Sequence, residues 1–221
     1  MKNICLICLC VFLSVVIFFM YNNHKQNFHK TKCIIPNNTY PELKPIFDKR
    51  YLIRDELVNI IKSDKWTKWD GWDKYDSTPT FTRMSETEIL ERLRTNASKL
   101  NSGEASWRIY GLMLDKNKIE DNTKEMPKLM AILDSIPNII NAGISVLEPN
   151  VQTERHRDYS RTFYRAHIPL IIPKGDTYLE VDGQILKWNM DEYFIFDDTC
   201  MHYAQNKTKE NRFVLIVDIA R

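Results

Sequence analysis

The chain has 221 residues, enough for one domain with a full core and too few for two large ones. Its 31 basic and 29 acidic side chains leave a formal net charge of +2, and nothing in that balance suggests a nucleic-acid partner. Gly and Pro are modest in number, and no internal repeat or low-complexity tract appears.

Residues 4–21 read ICLICLCVFLSVVIFFMY, eighteen positions without a charge. As a helix this run would span about 27 Å, close to the hydrocarbon thickness of a bilayer, so residues 1–21 are expected to form a single transmembrane anchor. A cleaved signal peptide is the competing reading, but Phe18, Phe19, Met20 and Tyr21 stand where small cleavage-site residues would be wanted. Lys25, Lys30 and Lys32 follow the run and favour a cytoplasmic domain. Three Asn-x-Thr/Ser triplets, at Asn37, Asn96 and Asn206, could be used only in a secretory lumen, so the side of the membrane stays open. Cys5, Cys8 and Cys10 lie in the apolar run, leaving Cys33 and Cys200 as an isolated pair, bridged or reduced.

Residues 22 to about 50 are polar and carry Pro36, Pro41 and Pro45, which reads as a stalk. Helical spacing follows in residues 54–62, and a capping box at Ser85-Glu86-Thr87-Glu88 opens a second helix with Ile89, Leu90 and Leu93 inside. A third helix is expected from Pro127 to Ser135, so that residues 51–140 form a helical part. Trp66, Trp69, Trp72 and Tyr75 are expected to pack between helix and barrel, or else to form a substrate-facing lip.

From residue 141 the pattern switches to short strands rich in β-branched and aromatic residues: 143–147, 162–172, 178–181, 184–188, 193–196 and 212–219. Asp182-Gly183 marks a hairpin turn. The expected fold is mainly β with flanking helices: a double-stranded β-helix, or jelly roll, over residues 141–221 within a domain spanning 51–221.

Within these strands lie His156-Arg157-Asp158, His202 forty-four residues after the Asp, and Arg212 ten residues later. Two imidazoles and a carboxylate are the ligand set of a non-haem Fe(II) site with open positions. On a strand, residues i and i+2 face one way, so His156 and Asp158 could grip one ion while His202 arrives from a distant strand. Arg165 and His167 share the same i, i+2 relation. Arg212 would offer a planar fork to a carboxylate, or else pair with Asp197, Asp198 or Asp218. His167 could equally be a core histidine, and Asp197 and Asp198 are expected to shape the loop that presents His202.

The stretch ISVLEPNVQTERHRDYSRTFYRAHIPLIIP, then LEVDGQILKW, FIFDDTCMHY and NRFVLIVDI, resembles the aspartyl/asparaginyl β-hydroxylase family of Fe(II)- and 2-oxoglutarate-dependent dioxygenases. The resemblance implies iron bound by His156 and His202, with Arg212 and Ser145 on the distal carboxylate of 2-oxoglutarate and Arg165 and His167 near its other end. Animal aspartyl hydroxylases carry Gly where this chain has Asp158. The H-R-D motif and the E-V-D-G-Q hairpin look more like the bacterial lipid A hydroxylase branch. The implied activity is hydroxylation of an unactivated C–H with O2 as cosubstrate, on either a protein Asp/Asn side chain or a lipid acyl chain. Two other readings stay open: a non-catalytic jelly-roll module binding a carboxylate, and a zinc hydrolase using the same His/His/Asp set.

Overall fold

The computed structural model describes residues 32–61, 63, 65–68, 107–158 and 160–221, and the segment from Cys33 to Arg221 forms one compact unit. The expected anchor, the second helix, and Trp69, Trp72 and Tyr75 lie outside the described residues. Among the described residues no helix is long and apolar enough to cross a membrane.

The stretch expected as a stalk is folded from Cys33 onward. Strand β1 (Ile34–Ile35) pairs with β10 (Phe194–Phe196), and two 3-10 turns lead into α1 (Lys44–Asp48) and α2 (Arg50–Ile60). The prolines do not prevent this, because Pro41 and Pro45 occupy first-turn positions, where a missing N–H is harmless. The expected helical part is likewise interrupted by strands β2 (Thr67–Lys68), β3 (Trp107–Leu114) and β4 (Asn117–Lys118), with short helices α3 (Glu120–Thr123) and α4 (Pro127–Leu133) after them. The buried Glu56 carboxylate accepts from the backbone N–H groups of Lys128 and Leu129, both at 2.8 Å, and so ties α2 to the first turn of α4.

Strands β5 (Ile139–Leu147), β6 (Val151–Gln152), β7 (Phe163–Ile171), β8 (Thr177–Val181), β9 (Gln184–Lys187), β10, β11 (His202–Asn206) and β12 (Arg212–Ala220) build the barrel. The larger sheet runs β1-β10-β7-β12-β5-β3-β2 and the smaller runs β6-β11-β8-β9, every pairing being antiparallel. From β5 to β12 the chain crosses between the two sheets except at the β8–β9 hairpin, which is jelly-roll connectivity. That hairpin turns through Asp182 and Gly183, both at positive φ (48° and 83°), the backbone a two-residue turn demands. Gly143 is needed for a different reason: a Cβ there would sit 2.9 Å from the Tyr110 carbonyl oxygen across β3 and β5.

Strand alternation separates two cores. On β12, Phe213, Leu215, Val217 and Ile219 join the apolar layer beneath the helices, while Val214 and Ile216 face the barrel interior. Trp66 belongs to the first layer: it is 1% exposed, donates from Nε1 to the Ile60 carbonyl at 3.0 Å, and meets Tyr110 and Phe213 edge-on. Packing between helix and sheet is therefore its role.

Candidate functional site

Arg212 sits on the same face of β12 as Val214 and Ile216, and this is how the barrel acquires a charged end. Ser145 on β5, Arg165 and His167 on β7, His202 on β11, His156 and Arg212 all line one narrow interior cavity, together with apolar groups such as Trp107 and Phe196. The cavity is tight, about 20 Å³ in volume.

The two histidines meet across the mouth. His156 and His202 exchange both backbone hydrogen bonds, at 3.0 and 2.8 Å, and their ring centroids are 4.4 Å apart. Each Nδ1 lies against a backbone carbonyl oxygen, that of Glu154 at 2.7 Å and that of Cys200 at 2.9 Å. A carbonyl only accepts, so Nδ1 carries the proton and donates in both rings, leaving each Nε2 with its lone pair available. Burial pushes the His202 imidazole down to about 4, and the neighbouring His156 and Arg165 push the same way, against the Cys200 carbonyl and Asp158. A neutral ring of this kind, oriented by a backbone acceptor, suits a transition-metal ion.

Asp158 is placed differently from expectation. It is not on a strand: after β6 the chain bends at Arg155, touches β11 only at the His156–His202 bridge, and continues irregularly. Thr153 prepares that bend, its N–H donating to the Ala204 carbonyl and its Oγ1 accepting from the Ala204 N–H, both at 2.9 Å. The Asp158 N–H donates to the Asp198 carbonyl at 2.9 Å, and its Oδ2 stands 3.5 Å from Arg165 Nη1. Its side chain is 42% exposed, and among the described residues no three His, Cys, Asp or Glu groups already sit as a metal cage.

The acids offered as partners for Arg212 go elsewhere. Asp218 takes a bidentate bond from Arg165, Nε to Oδ1 at 2.8 Å and Nη2 to Oδ2 at 2.9 Å, while Asp198 stands 3.0 Å from Arg165 Nη1. Asp197 accepts from Arg221 and caps the turn before His202 through Thr199, at 3.0 Å from its N–H and 2.7 Å from its Oγ1. Burial would lower the Arg165 guanidinium, but Asp218 above all holds it raised. Burial pushes the Asp198 carboxyl up to about 8, opposed by Arg165.

Arg212, 1% exposed, has no carboxylate partner among the described residues. Its Nη1 reaches the Ser145 Oγ at 3.4 Å, its Nε has no partner, and its guanidinium carbon lies 4.4 Å from the Trp188 ring centroid. Burial alone brings it down to about 9. Ser145 Oγ also accepts from Trp107 Nε1 at 2.9 Å, which leaves its own hydrogen free to donate. His167 Nδ1 and Trp188 Nε1 are buried without partners as well, with the two rings stacked at 5.9 Å; burial, reinforced by Arg212, holds His167 well below its ordinary value. A buried cation flanked by orphaned polar atoms is costly unless an anion enters.

Sequence reasoning did not single out Trp107, Trp188 or the Arg165 partnership with Asp218. Asp218 could have been found from alternation, since it shares a face of β12 with Arg212 and pairs in register with Arg165. The Cys33–Cys200 pair is a disulfide that staples β1 to the turn before His202.

The family profile described as Aspartyl/Asparaginyl beta-hydroxylase matches residues 49–221, and the chain belongs to that family. The chain is 30% identical over 141 residues to an ornithine lipid ester-linked acyl 2-hydroxylase from Rhizobium tropici, an alignment covering 63% of this chain. The chain spans about half the length of that curated relative (50%). Among solved structures it is similar to a predicted oxalate decarboxylase from Thermotoga maritima, with 12% identity and a TM-score of 0.36 over 54% of this chain and 85% of the other. A cupin domain from Schizosaccharomyces pombe gives 12% identity and a TM-score of 0.36, over 54% of this chain and 66% of the other.

Proposed function

We propose that this member of the aspartyl/asparaginyl β-hydroxylase family is an Fe(II)- and 2-oxoglutarate-dependent dioxygenase, held at a membrane by residues 4–21, that hydroxylates a lipid acyl chain. The observation that carries the reading is the pairing of two Nε2-presenting imidazoles with a buried guanidinium that has no carboxylate partner among the described residues, in one cavity. The donor set fits the ion: His156 and His202 would hold it, with Asp158 as the third ligand supplied by the adjoining turn. When bound, iron with 2-oxoglutarate and O2 supplies the oxidising power that puts one oxygen atom into a C–H bond, with succinate and CO2 as the other products.

The chain's own residues do the rest. Arg212 and the Ser145 hydroxyl are set to bind the distal carboxylate, with His167 beside them, and Trp188 and Phe196 keep water from the charge. The acyl acceptor is supported by the Rhizobium relative, whose name assigns it an acyl 2-hydroxylase activity, and by Asp158, present where animal aspartyl hydroxylases carry Gly. The Cys33–Cys200 disulfide supports a domain kept outside the reducing cytoplasm.

The test is succinate formation by the full chain in detergent with Fe(II), 2-oxoglutarate and O2. Extracts containing acylated amino-acid lipids and Asp/Asn peptides are compared as acceptors. Stimulation by lipid and not by peptide is expected. Stimulation by peptide alone would transfer the acceptor to protein, and no iron-dependent succinate with any acceptor would remove the dioxygenase reading.

A further inference from the structure

The cavity holds two arginines, and the fold restrains them by different means. Arg165 is gripped by a carboxylate, Asp218, through Nε at 2.8 Å and Nη2 at 2.9 Å. Arg212 has no such grip. Its polar contacts are two long ones from Nη1, to the Ser145 Oγ at 3.4 Å and the Ser145 carbonyl at 3.5 Å, and its Nε donates to none of the described residues. Long bonds from a single nitrogen leave the plane of a guanidinium weakly defined.

What defines that plane is a ring. Trp188 directly follows β9, at the edge of the smaller sheet, and its indole reaches across to the larger one. There it stacks on His167 of β7, with centroids 5.9 Å apart and planes 18° from parallel, and packs against Phe194 of β10 at 6.1 Å. The indole is buried and held by these rings, and the Arg212 guanidinium carbon stands 4.4 Å from its centroid. The electron-rich face of an indole attracts a guanidinium and sets its plane. Unlike a carboxylate, it consumes none of the in-plane N–H groups, so Arg212 is oriented while donors stay available to a ligand.

We propose that Trp188 is a positioning residue for cosubstrate binding: its indole fixes the plane of the Arg212 guanidinium, so that Arg212 meets the distal carboxylate of 2-oxoglutarate already oriented. The inference rests on the reading of Arg212 as the partner of that carboxylate. Ordering a long side chain at the moment of binding opposes affinity, and the ring does this in advance. The task is separate from excluding water, since an aliphatic side chain of equal bulk would keep water out without setting a plane.

The experiment is isothermal titration of the full chain, in detergent and loaded with Mn(II), with two ligands. One is 2-oxoglutarate; the other is 2-oxovalerate, which has the same keto acid end and a methyl group in place of the distal carboxylate. Wild type, Trp188→Leu, Trp188→Phe, Arg212→Met and the double variant of Trp188→Leu with Arg212→Met are compared. Trp188→Leu should weaken 2-oxoglutarate binding about 3- to 10-fold, the scale of ordering one long side chain. It should weaken 2-oxovalerate by less than about twofold, because that ligand makes no use of Arg212. Trp188→Phe keeps a smaller aromatic face and should fall between Trp188→Leu and wild type. In the Arg212→Met background, Trp188→Leu should cost 2-oxoglutarate less than about twofold, because the group it orients is gone. Undiminished 2-oxoglutarate affinity in Trp188→Leu, an equal loss for both ligands, or the same loss in the Arg212→Met background would overturn the positioning role. Unchanged 2-oxoglutarate affinity in Arg212→Met, or no 2-oxoglutarate binding by wild type, would instead remove the reading on which the proposal stands. Should Trp188→Leu fail to fold, Trp188→Phe carries the same comparison, and a smaller loss confined to 2-oxoglutarate is expected.

Discussion

The guanidinium of Arg212 lies over the indole of Trp188, 4.4 Å from the ring centroid, in an interior that offers it no carboxylate among the described residues. The protein thus carries a desolvated charge that no carboxylate among the described residues neutralises. Arg212→Met replaces it with an apolar side chain of similar reach. We expect the melting temperature of the ligand-free variant to stay level or rise by a few degrees, and 2-oxoglutarate affinity to fall by about 100-fold or more. Calorimetry and isothermal titration measure the two; a marked loss of stability with affinity intact would contradict the pocket assignment.

His156 and His202 each present Nε2 because a carbonyl holds the opposite nitrogen. His202→Ala should leave the barrel folded, since the backbone bridge survives, and should abolish both Mn(II) binding at micromolar concentration and 2-oxoglutarate-dependent succinate formation. Circular dichroism and metal analysis decide it, and a folded variant that still turns over would discard His202 as a ligand.

Two buried groups give opposite pH dependences. His202 is held down to about 4, so its contribution to stability is fully present above its ordinary value near 6.5 and is lost as pH falls from there toward 4. Asp198 is pushed up to about 8; its contribution is fully present below its ordinary value and is lost as pH rises toward 8. In metal-free protein, therefore, His202→Phe should flatten the decline between pH 6.5 and 4. Asp198→Asn should gain stability relative to wild type as pH is raised from 4 to 8. Urea midpoints across that range provide the check, and parallel curves for wild type and both variants would refute the burial argument.

The Cys33–Cys200 bridge joins residues 167 apart in sequence and adjoins the carbonyl that orients His202. Reduction should lower stability by ~2–4 kcal/mol and weaken Mn(II) binding, with Cys33→Ser reproducing both effects. Equal Mn(II) affinity in oxidised and reduced protein would confine the bridge to a purely stabilising role.

Much of the barrel was legible beforehand because β-strands write their period into the chain. The strands expected at 143–147, 162–172, 178–181, 184–188, 193–196 and 212–219 appear within a few residues of those bounds, and the hairpin turn falls at Asp182-Gly183. Strand β1 and strand β3 were less visible: one is two residues long, and the other is buried on both faces, so neither shows alternation. The triplet at Asn206 left its use open for the converse reason, since a triplet carries no burial. Asn206 is fully buried, and its Nδ2 donates to the carbonyls of Leu147, Glu148 and Glu210.

Residue order by itself determined the strand pattern, the family, and the pairing of Arg165 with His167 on one face, because these follow from local periodicity and motif spacing. Only the tertiary structure decided which acid serves which arginine. Arg165 and Arg212 look alike in the chain, but Asp218 stands opposite the first across β7 and β12, while the second faces Ser145 and Trp188. A charge finds its partner through space, and the register of two antiparallel strands, which no single segment encodes, sets which carboxylate is near enough to neutralise it.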